Sequence, residues 1–255
     1  MNYKIALVTG ASSGIGKAIA ESLAKHGVRL ILIARRNDKL ELLKRELQAN
    51  TTCHVIACDV ADKERIFQEI TNLPVEFAKI DVLINCAGLA LGLEAAQETE
   101  WKDWETMLNV NCLALTYITH LLLPNMVERN FGHIINIGST AGTYPYKGAN
   151  VYGATKAFVE QFTLNLKADL LGTAVRVTNI EPAIVGDSEF SLVRFKGDKN
   201  KADEVYEGLK PLSPADISEC AIWVLSQPAH VNINRIEIMP TSQAPSHLAV
   251  HKKRD

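Results

Sequence analysis

The sequence contains no C-x-x-C pair, and its five cysteines (Cys53, Cys58, Cys86, Cys112 and Cys220) are odd in number and widely spaced. This excludes a disulfide framework or a thiolate zinc site, and it fits buried thiols in a reducing compartment, so the expected location is the cytoplasm. Charge of one sign is not in surplus either: 27 Lys and Arg stand against 29 Asp and Glu, for a net charge of −2. Neither nucleic acid nor a membrane surface is therefore expected as a partner. No stretch runs the roughly 18 unbroken apolar residues that cross a bilayer. No basic segment with an apolar core and a cleavage site precedes the first strand-like run. The seven histidines lack H-x-E and H-E-x-x-H spacing, so no metal is expected. What remains is an ordinary globular composition, 47% hydrophobic and 22% charged, in a chain of 255 residues that can bury a substantial core.

Short β-branched runs alternate with helical periods along the chain. Residues 4–8 predict a strand, followed by a glycine turn and a helix over about 14–26 that Gly27 stops. A second strand is expected over 29–33, a helix capped by Asn37 with Leu40, Leu43 and Leu47 at helical spacing, and a third strand near 54–58. The rhythm continues as helix 62–72, strand 81–84, a long helix over 101–129, strand 133–137, helix 151–171 and strand 175–180. Strands that read as continuous Ile, Val and Leu runs, each separated by a helix, predict an α/β fold: one doubly wound, Rossmann-like parallel sheet spanning residues 1–255. Residues 183–212 break the pattern and are expected to form a substrate loop after the sixth strand, closing as a lid. A helix opened by Pro214, a last strand over 235–239 and a polar HKKRD tail complete the chain.

Gly10, Gly14 and Gly16 of TGASSGIG follow the first strand and open a helix, where backbone N–H groups and the helix dipole can hold a pyrophosphate. The spacing is neither G-x-G-x-x-G nor a P-loop. At the end of the second strand stand Ala34, Arg35 and Arg36, where a carboxylate would select NAD. Guanidinium groups suit a 2′-phosphate, so NADP is favoured, the alternative being a solvated pair. Asp59, beside Val60, reads as an acceptor for an adenine amino group or as an exposed acid or helix cap. Later, Ser139 ends a strand, and Tyr152 and Lys156 lie four apart on one helical face. A tyrosine acting as a base near neutral pH must lose about three units from a free pKa near 10. An ammonium about 4 Å away at an effective dielectric of about 20 supplies that order of energy, so a single lysine is expected to do much of the activation. The competing reading is an interfacial tyrosine with a snorkelling lysine.

TGASSGIG, NCAG at Asn85 to Gly88, Asn111 in LNVNCLA, Ser139, and YGATK at Tyr152 to Lys156 together resemble the short-chain dehydrogenase/reductase family, in order and over nearly the whole chain. The departures are Cys86, where the family has a second asparagine, and Ala183, where it has a glycine after Pro182. The resemblance implies Tyr152 as acid/base and Lys156 as the group that lowers its pKa and contacts the nicotinamide ribose. Ser139 would hydrogen-bond the substrate oxygen, and Asn111 would hold a water in a proton relay. It implies NADP contacts from Gly10, Ser12, Ser13, Gly14, Ile15 and Gly16, from Arg35, Arg36, Asp59 and Val60, from Asn85, Ala87 and Gly88, and from Tyr152, Lys156, Pro182 and Val185. A homotetramer is also implied. WETMLNVN, GTAVRVTNIEPAIVG and EFSLVRFKGD further resemble the NADP-dependent 3-hydroxy acid dehydrogenases, which implies small 3-hydroxy acids such as serine, L-allo-threonine, 3-hydroxypropionate and 3-hydroxyisobutyrate as substrates. A carboxylate substrate calls for a cation, and Arg194 is the first candidate, with Lys196 second. The rivals are a reductase of other ketones or 3-oxoacyl thioesters and, from a different class, a non-catalytic nucleotide-binding sensor, against which the intact Ser139, Tyr152 and Lys156 argue.

Overall fold

The computed structural model describes residues 2–245, so the expected polar tail lies outside the described residues. The strands are β1 Ile5–Thr9, β2 Arg29–Ala34, β3 Cys53–Ala57, β4 Val82–Asn85, β5 Gly132–Ile137, β6 Val175–Pro182 and β7 Arg235–Ile238. They form one parallel sheet in the order β3-β2-β1-β4-β5-β6-β7. The helices are α1 Gly14–Lys25, α2 Asn37–Leu47, α3 Lys63–Thr71, α4 Trp101–Leu108, α5 Leu115–Glu128, α6 Asn150–Asp169, α7 Phe190–Arg194, α8 Lys199–Glu204 and α9 Pro214–Ser226. This is the doubly wound arrangement expected from the alternation of strands and helices.

Successive strand side chains face opposite sides of the sheet, so each central strand feeds two cores. Ala6 and Val8 of β1 and Leu30 and Leu32 of β2 pack with Ile19 and Leu23 of α1 and Ile217 and Val224 of α9. Ile5, Leu7, Ile31 and Ile33 face the other way, against Ile66 of α3, Ile118 and Met126 of α5, and Leu166 of α6. Each such fully buried aliphatic contributes about 1.5–3 kcal/mol, which is why β1 and β2 contain almost nothing else. On the first face, Ser218 Oγ donates to the Ala18 carbonyl at 2.9 Å, locking α9 to α1.

Three local features differ from expectation. Asn37 is the first residue of α2 and Arg36 its cap. The long helix is interrupted at Asn109–Ala114 by a π-helical turn. By length and composition the whole Trp101–Glu128 run is apolar enough to cross a membrane, yet 44% of its most apolar window is buried in the fold, where it covers the sheet. Residues 183–212 are also more ordered than a loop. They hold α7 and α8, and their neck is closed by hydrogen bonds from Gly186 N–H to the Leu212 carbonyl (2.8 Å) and from Leu212 N–H to the Ile184 carbonyl (3.0 Å).

Candidate active site

The chain winds away in opposite directions from β1 and β4, which leaves a crevice at their carboxyl ends. Thr9 fastens its floor: Oγ1 donates to the Ile84 carbonyl (3.3 Å) and accepts from the N–H groups of Cys86 and Ala87 (3.0 Å each). Cys86 is therefore supported through its main chain, without the side chain that the family pattern has there. Gly10 follows at φ +68°, and a Cβ on it would stand 3.0 Å from Ala87 Cα, so only glycine fits this approach. A cleft of about 600 Å³ runs from this turn to Tyr152. Its walls bring together Gly10, Ser12, Ser13, Gly14, Ile15, Gly16, Arg35, Arg36, Asp59, Val60, Ala87, Gly88, Ser139, Tyr152, Lys156, Pro182, Val185 and Arg194.

At one end of the cleft, α1 starts with Ser13 as its cap, yet the Ser13 side chain makes no cap hydrogen bond. Its first-turn N–H groups are left for an anion. Arg36, not Arg35, reaches across this turn, donating from Nη2 to Ser12 Oγ (3.2 Å) and Ser13 Oγ (3.0 Å). Arg35 is exposed and makes no side-chain hydrogen bond among the described residues. Arg36 also forms an ion pair with Glu189 at 2.6 Å, and Lys39 forms another with the same carboxylate at 2.8 Å. Those two hydrogen bonds, Arg36 first, hold the Glu189 carboxyl down to about 2. Asp59 accepts from Ala61 N–H at 2.9 Å, while the cap of α3 is Asp62, so the helix-cap reading of Asp59 is set aside.

At the other end, the strand exit of β5 and the helix α6 are pressed together: a Cβ on Gly142 would lie 2.7 Å from Ala157 N. This contact brings Ser139 to Tyr152. The Ser139 hydroxyl donates to the Pro182 carbonyl at 3.3 Å and accepts from Ala141 N–H at 3.2 Å. Lys156 Nζ donates to the Ile137 carbonyl at 2.8 Å and lies 5.9 Å from the Tyr152 ring centre. Burial pulls the lysine down to about 8. Burial also holds the Tyr152 phenol above its ordinary value, opposed first by the Ser139 hydrogen bond and then by the charge of Arg194. Within the chain itself, desolvation outweighs the groups that favour the phenolate.

Two expected residues are not in the cleft wall. Asn85 is buried and donates to Thr119 Oγ1 (3.0 Å) and Asn136 Oδ1 (2.8 Å), tying β4 to β5 and α5. The Asn111 amide accepts from Leu89 N–H (2.9 Å) and donates to the Leu89 carbonyl (2.8 Å) and Thr155 Oγ1 (3.0 Å). Its side chain is thus a strut between the β4 exit and α6. Ala183 departs from the family pattern without strain, because its N–H extends the pairing of β6 with β7 by donating to the Ile238 carbonyl at 2.8 Å.

Arg194 lies across the catalytic end. Its guanidinium is 5.3 Å from the Tyr152 ring centre and 5.0 Å from that of Phe190, and Nη2 donates to the Tyr146 hydroxyl at 3.0 Å. Its Nε is buried without a partner among the described residues. Lys196, the second candidate, is drawn away to Asp103 at 2.8 Å. In the same segment Gly197 has φ +95°, whereas Gly186 is packed under Pro211. Tyr146, Phe190, Lys39 and Glu189 were not found from sequence, because each joins the site through a contact between distant segments and none stands in a spaced motif.

A family model described as short chain dehydrogenase matches residues 4–195. The NADP-dependent 3-hydroxy acid dehydrogenase YdfG of Escherichia coli K12 is 52% identical over 249 residues, covering 98% of this chain and 100% of its own. The sulfoacetaldehyde reductase of Chromohalobacter salexigens is 46% identical over 244 residues, covering 95% of this chain and 96% of its own. The solved closed form of a serine dehydrogenase complexed with NADP+ has a TM-score of 0.94 and 52% identity, covering 98% of this chain and 100% of that one. The order of the sheet, the Ser139, Tyr152 and Lys156 cluster and the extent of these matches lead to one conclusion: the chain belongs to the short chain dehydrogenase family.

Proposed function

We propose that the protein is an NADP-dependent dehydrogenase of small 3-hydroxy acids, interconverting the 3-hydroxyl and the corresponding carbonyl. The observation that carries the substrate class is Arg194, a guanidinium with a buried, unpartnered Nε laid over the ring of Tyr152. An unpaired buried donor beside the acid/base is a site for the carboxylate of a substrate whose hydroxyl reaches Tyr152. Serine, L-allo-threonine, 3-hydroxypropionate and 3-hydroxyisobutyrate share that spacing between carboxylate and hydroxyl. The experiment is a steady-state screen of these four acids, 2-hydroxyethanesulfonate and a neutral secondary alcohol with NADP and NAD. Preference for the neutral alcohol would overturn the reading.

The cleft residues fit NADP. The open first turn of α1 suits the pyrophosphate, Arg35 and Arg36 suit the 2′-phosphate, and Asp59 suits the adenine edge. When bound, the cofactor accepts or donates the hydride, and its oxidised ring adds positive charge beside the tyrosine. Tyr152 moves the proton on the substrate oxygen, Ser139 holds that oxygen, and Lys156 orients the ribose and supplies charge. Replacing Arg35 and Arg36 together by alanine is expected to raise the KM for NADP more than tenfold, since one charge-assisted hydrogen bond contributes about 1.5–3 kcal/mol. The KM for NAD should hardly move, and equal efficiencies with the two cofactors in the unaltered protein would refute the assignment.

The enzyme is proposed to be soluble and cytoplasmic, and to be a homotetramer joined through the helices around α4, α5 and α6. Leu113, Phe158 and Leu164 leave those helices exposed and apolar. Sedimentation velocity should give four times the 28.0 kDa chain mass, and a monomer would remove this part of the reading.

A further inference from the structure

Arg36 and Lys39 stand on the α2 side of the cleft, and both are engaged by one carboxylate from a distant segment. Arg36 presents its fork to Glu189, with Nη1 to Oε1 at 2.9 Å and Nη2 to Oε2 at 2.6 Å, and Lys39 Nζ reaches Oε1 at 2.8 Å. The same Nη2 lies on Ser12 and Ser13. Glu189 is the residue that immediately precedes α7, and α7 carries Phe190 and Arg194 over Tyr152. One carboxylate therefore ties the phosphate-holding cations to the helix that bears the substrate-holding arginine.

A carboxylate that grips an arginine by its fork occupies the donors that a phosphate would take in the same bidentate way. Resting on the NADP reading above, we propose that Glu189 is a specificity-determining residue that competes with the cofactor 2′-phosphate for Arg36 and Lys39. When the phosphate takes those cations, the carboxylate releases them, and the amino-terminal end of α7 loses its anchor to the α2 side of the cleft. A cofactor without the phosphate leaves the pairs intact. The remaining ties of this segment are Ser191 Oγ with the Tyr206 hydroxyl at 2.7 Å and, at the carboxyl end of α7, Arg194 carbonyl accepting from Gly92 N–H at 2.9 Å and Lys196 with Asp103 at 2.8 Å. Release of Glu189 thus loosens the residues that precede Ser191 while the rest of the helix stays fixed. Coupling of this kind is reciprocal: whatever holds Glu189 on Arg36 weakens the phosphate, and the phosphate weakens that hold.

The pairs are partly exposed, with 39% of the Arg36 side chain and 37% of that of Glu189 accessible, so the competition is moderate in size. The test uses 2′,5′-ADP, which carries the phosphate without the nicotinamide, and 5′-AMP, which lacks it, titrated calorimetrically into the wild type, Glu189→Gln and Arg36→Ala. Glu189→Gln is expected to tighten 2′,5′-ADP by about two- to fivefold, the range for partly exposed ion pairs, and to leave 5′-AMP unchanged. Hydrogen exchange over residues 187–193 should rise when 2′,5′-ADP is added to the wild type. In Glu189→Gln it should already be raised and should not respond. Unchanged or weaker 2′,5′-ADP binding in Glu189→Gln overturns the competition and would make Glu189 a support that orients Arg36. A failure of 2′,5′-ADP to bind the wild type more tightly than 5′-AMP, or indifference to Arg36→Ala, instead removes the NADP reading, and the proposal with it.

Discussion

Tyr152→Phe is expected to lower kcat by about 10²–10⁴-fold, the range that a positioned general acid or base supplies, while NADPH binding measured by fluorescence titration stays nearly unchanged. The substitution deletes one oxygen from a buried ring packed at 5.8 Å against Phe190, so the fold and the cleft shape have no reason to move. The phenol is the proton carrier in this proposal because its titrating oxygen has Ser139 as a neighbour and Arg194 as a facing cation. Burial holds the phenol high in the chain by itself. Oxidation therefore depends on the cofactor's positive charge as well as on the protein, and the wild-type rate of oxidation should rise with pH through the alkaline range. A phenylalanine variant that keeps a tenth of the activity would show that another group moves the proton.

Arg194→Met should depress kcat/KM for 3-hydroxy acids by more than a hundredfold, since leaving one member of a desolvated charge pair alone costs about 3–5 kcal/mol. Methionine keeps an unbranched apolar stem against Phe190, so the change isolates the charge. A neutral alcohol of similar size should be oxidised almost as well, when compared at a pH where each rate has levelled. Arg194 also opposes the rise of the Tyr152 phenol, so its loss should move the alkaline limb of the neutral-alcohol profile to higher pH. Arg194 already lies over the Tyr152 ring. Equal losses on charged and neutral substrates would reduce it to a support for α7, and because Lys196 is held by Asp103, the carboxylate site would then have to be sought elsewhere.

The sheet was legible because buried parallel strands leave unmistakable runs such as RLILI and HIINI, and the glycine turn marked its switch point. Tyr152 and Lys156 were legible because helical spacing alone places them on one face. The burial of both groups was not legible: sequence shows which charges are neighbours but not how thoroughly they are desolvated. The side-chain partners of Asn85 and Asn111 were not legible, since a motif does not show which gaps between elements an amide closes. Residues 183–212 hid two short helices because segments of five and six residues cannot display a helical period. Arg36 and Arg35 were indistinguishable by composition, and only the pairing of Arg36 with Ser12, Ser13 and Glu189 separates them.

The π-helical turn at Asn109–Ala114 places an unusual demand on this chain. An α-helix advances by about 100° per residue, so a turn holding one residue more than the regular ladder sets the rotational phase of everything after it. Upstream of it, Met107 faces the Tyr152 cluster, and downstream Ile118, Leu122 and Met126 face the sheet. Removing one residue there would restore a regular helix and strengthen its hydrogen bonding, yet it would swing either Asn111 away from Leu89 or the apolar stripe of α5 away from the core. The residue count of this turn is therefore more tightly constrained than its individual letters: Val110 or Leu113 can drift among apolar side chains, whereas an insertion or deletion of a single codon cannot be absorbed.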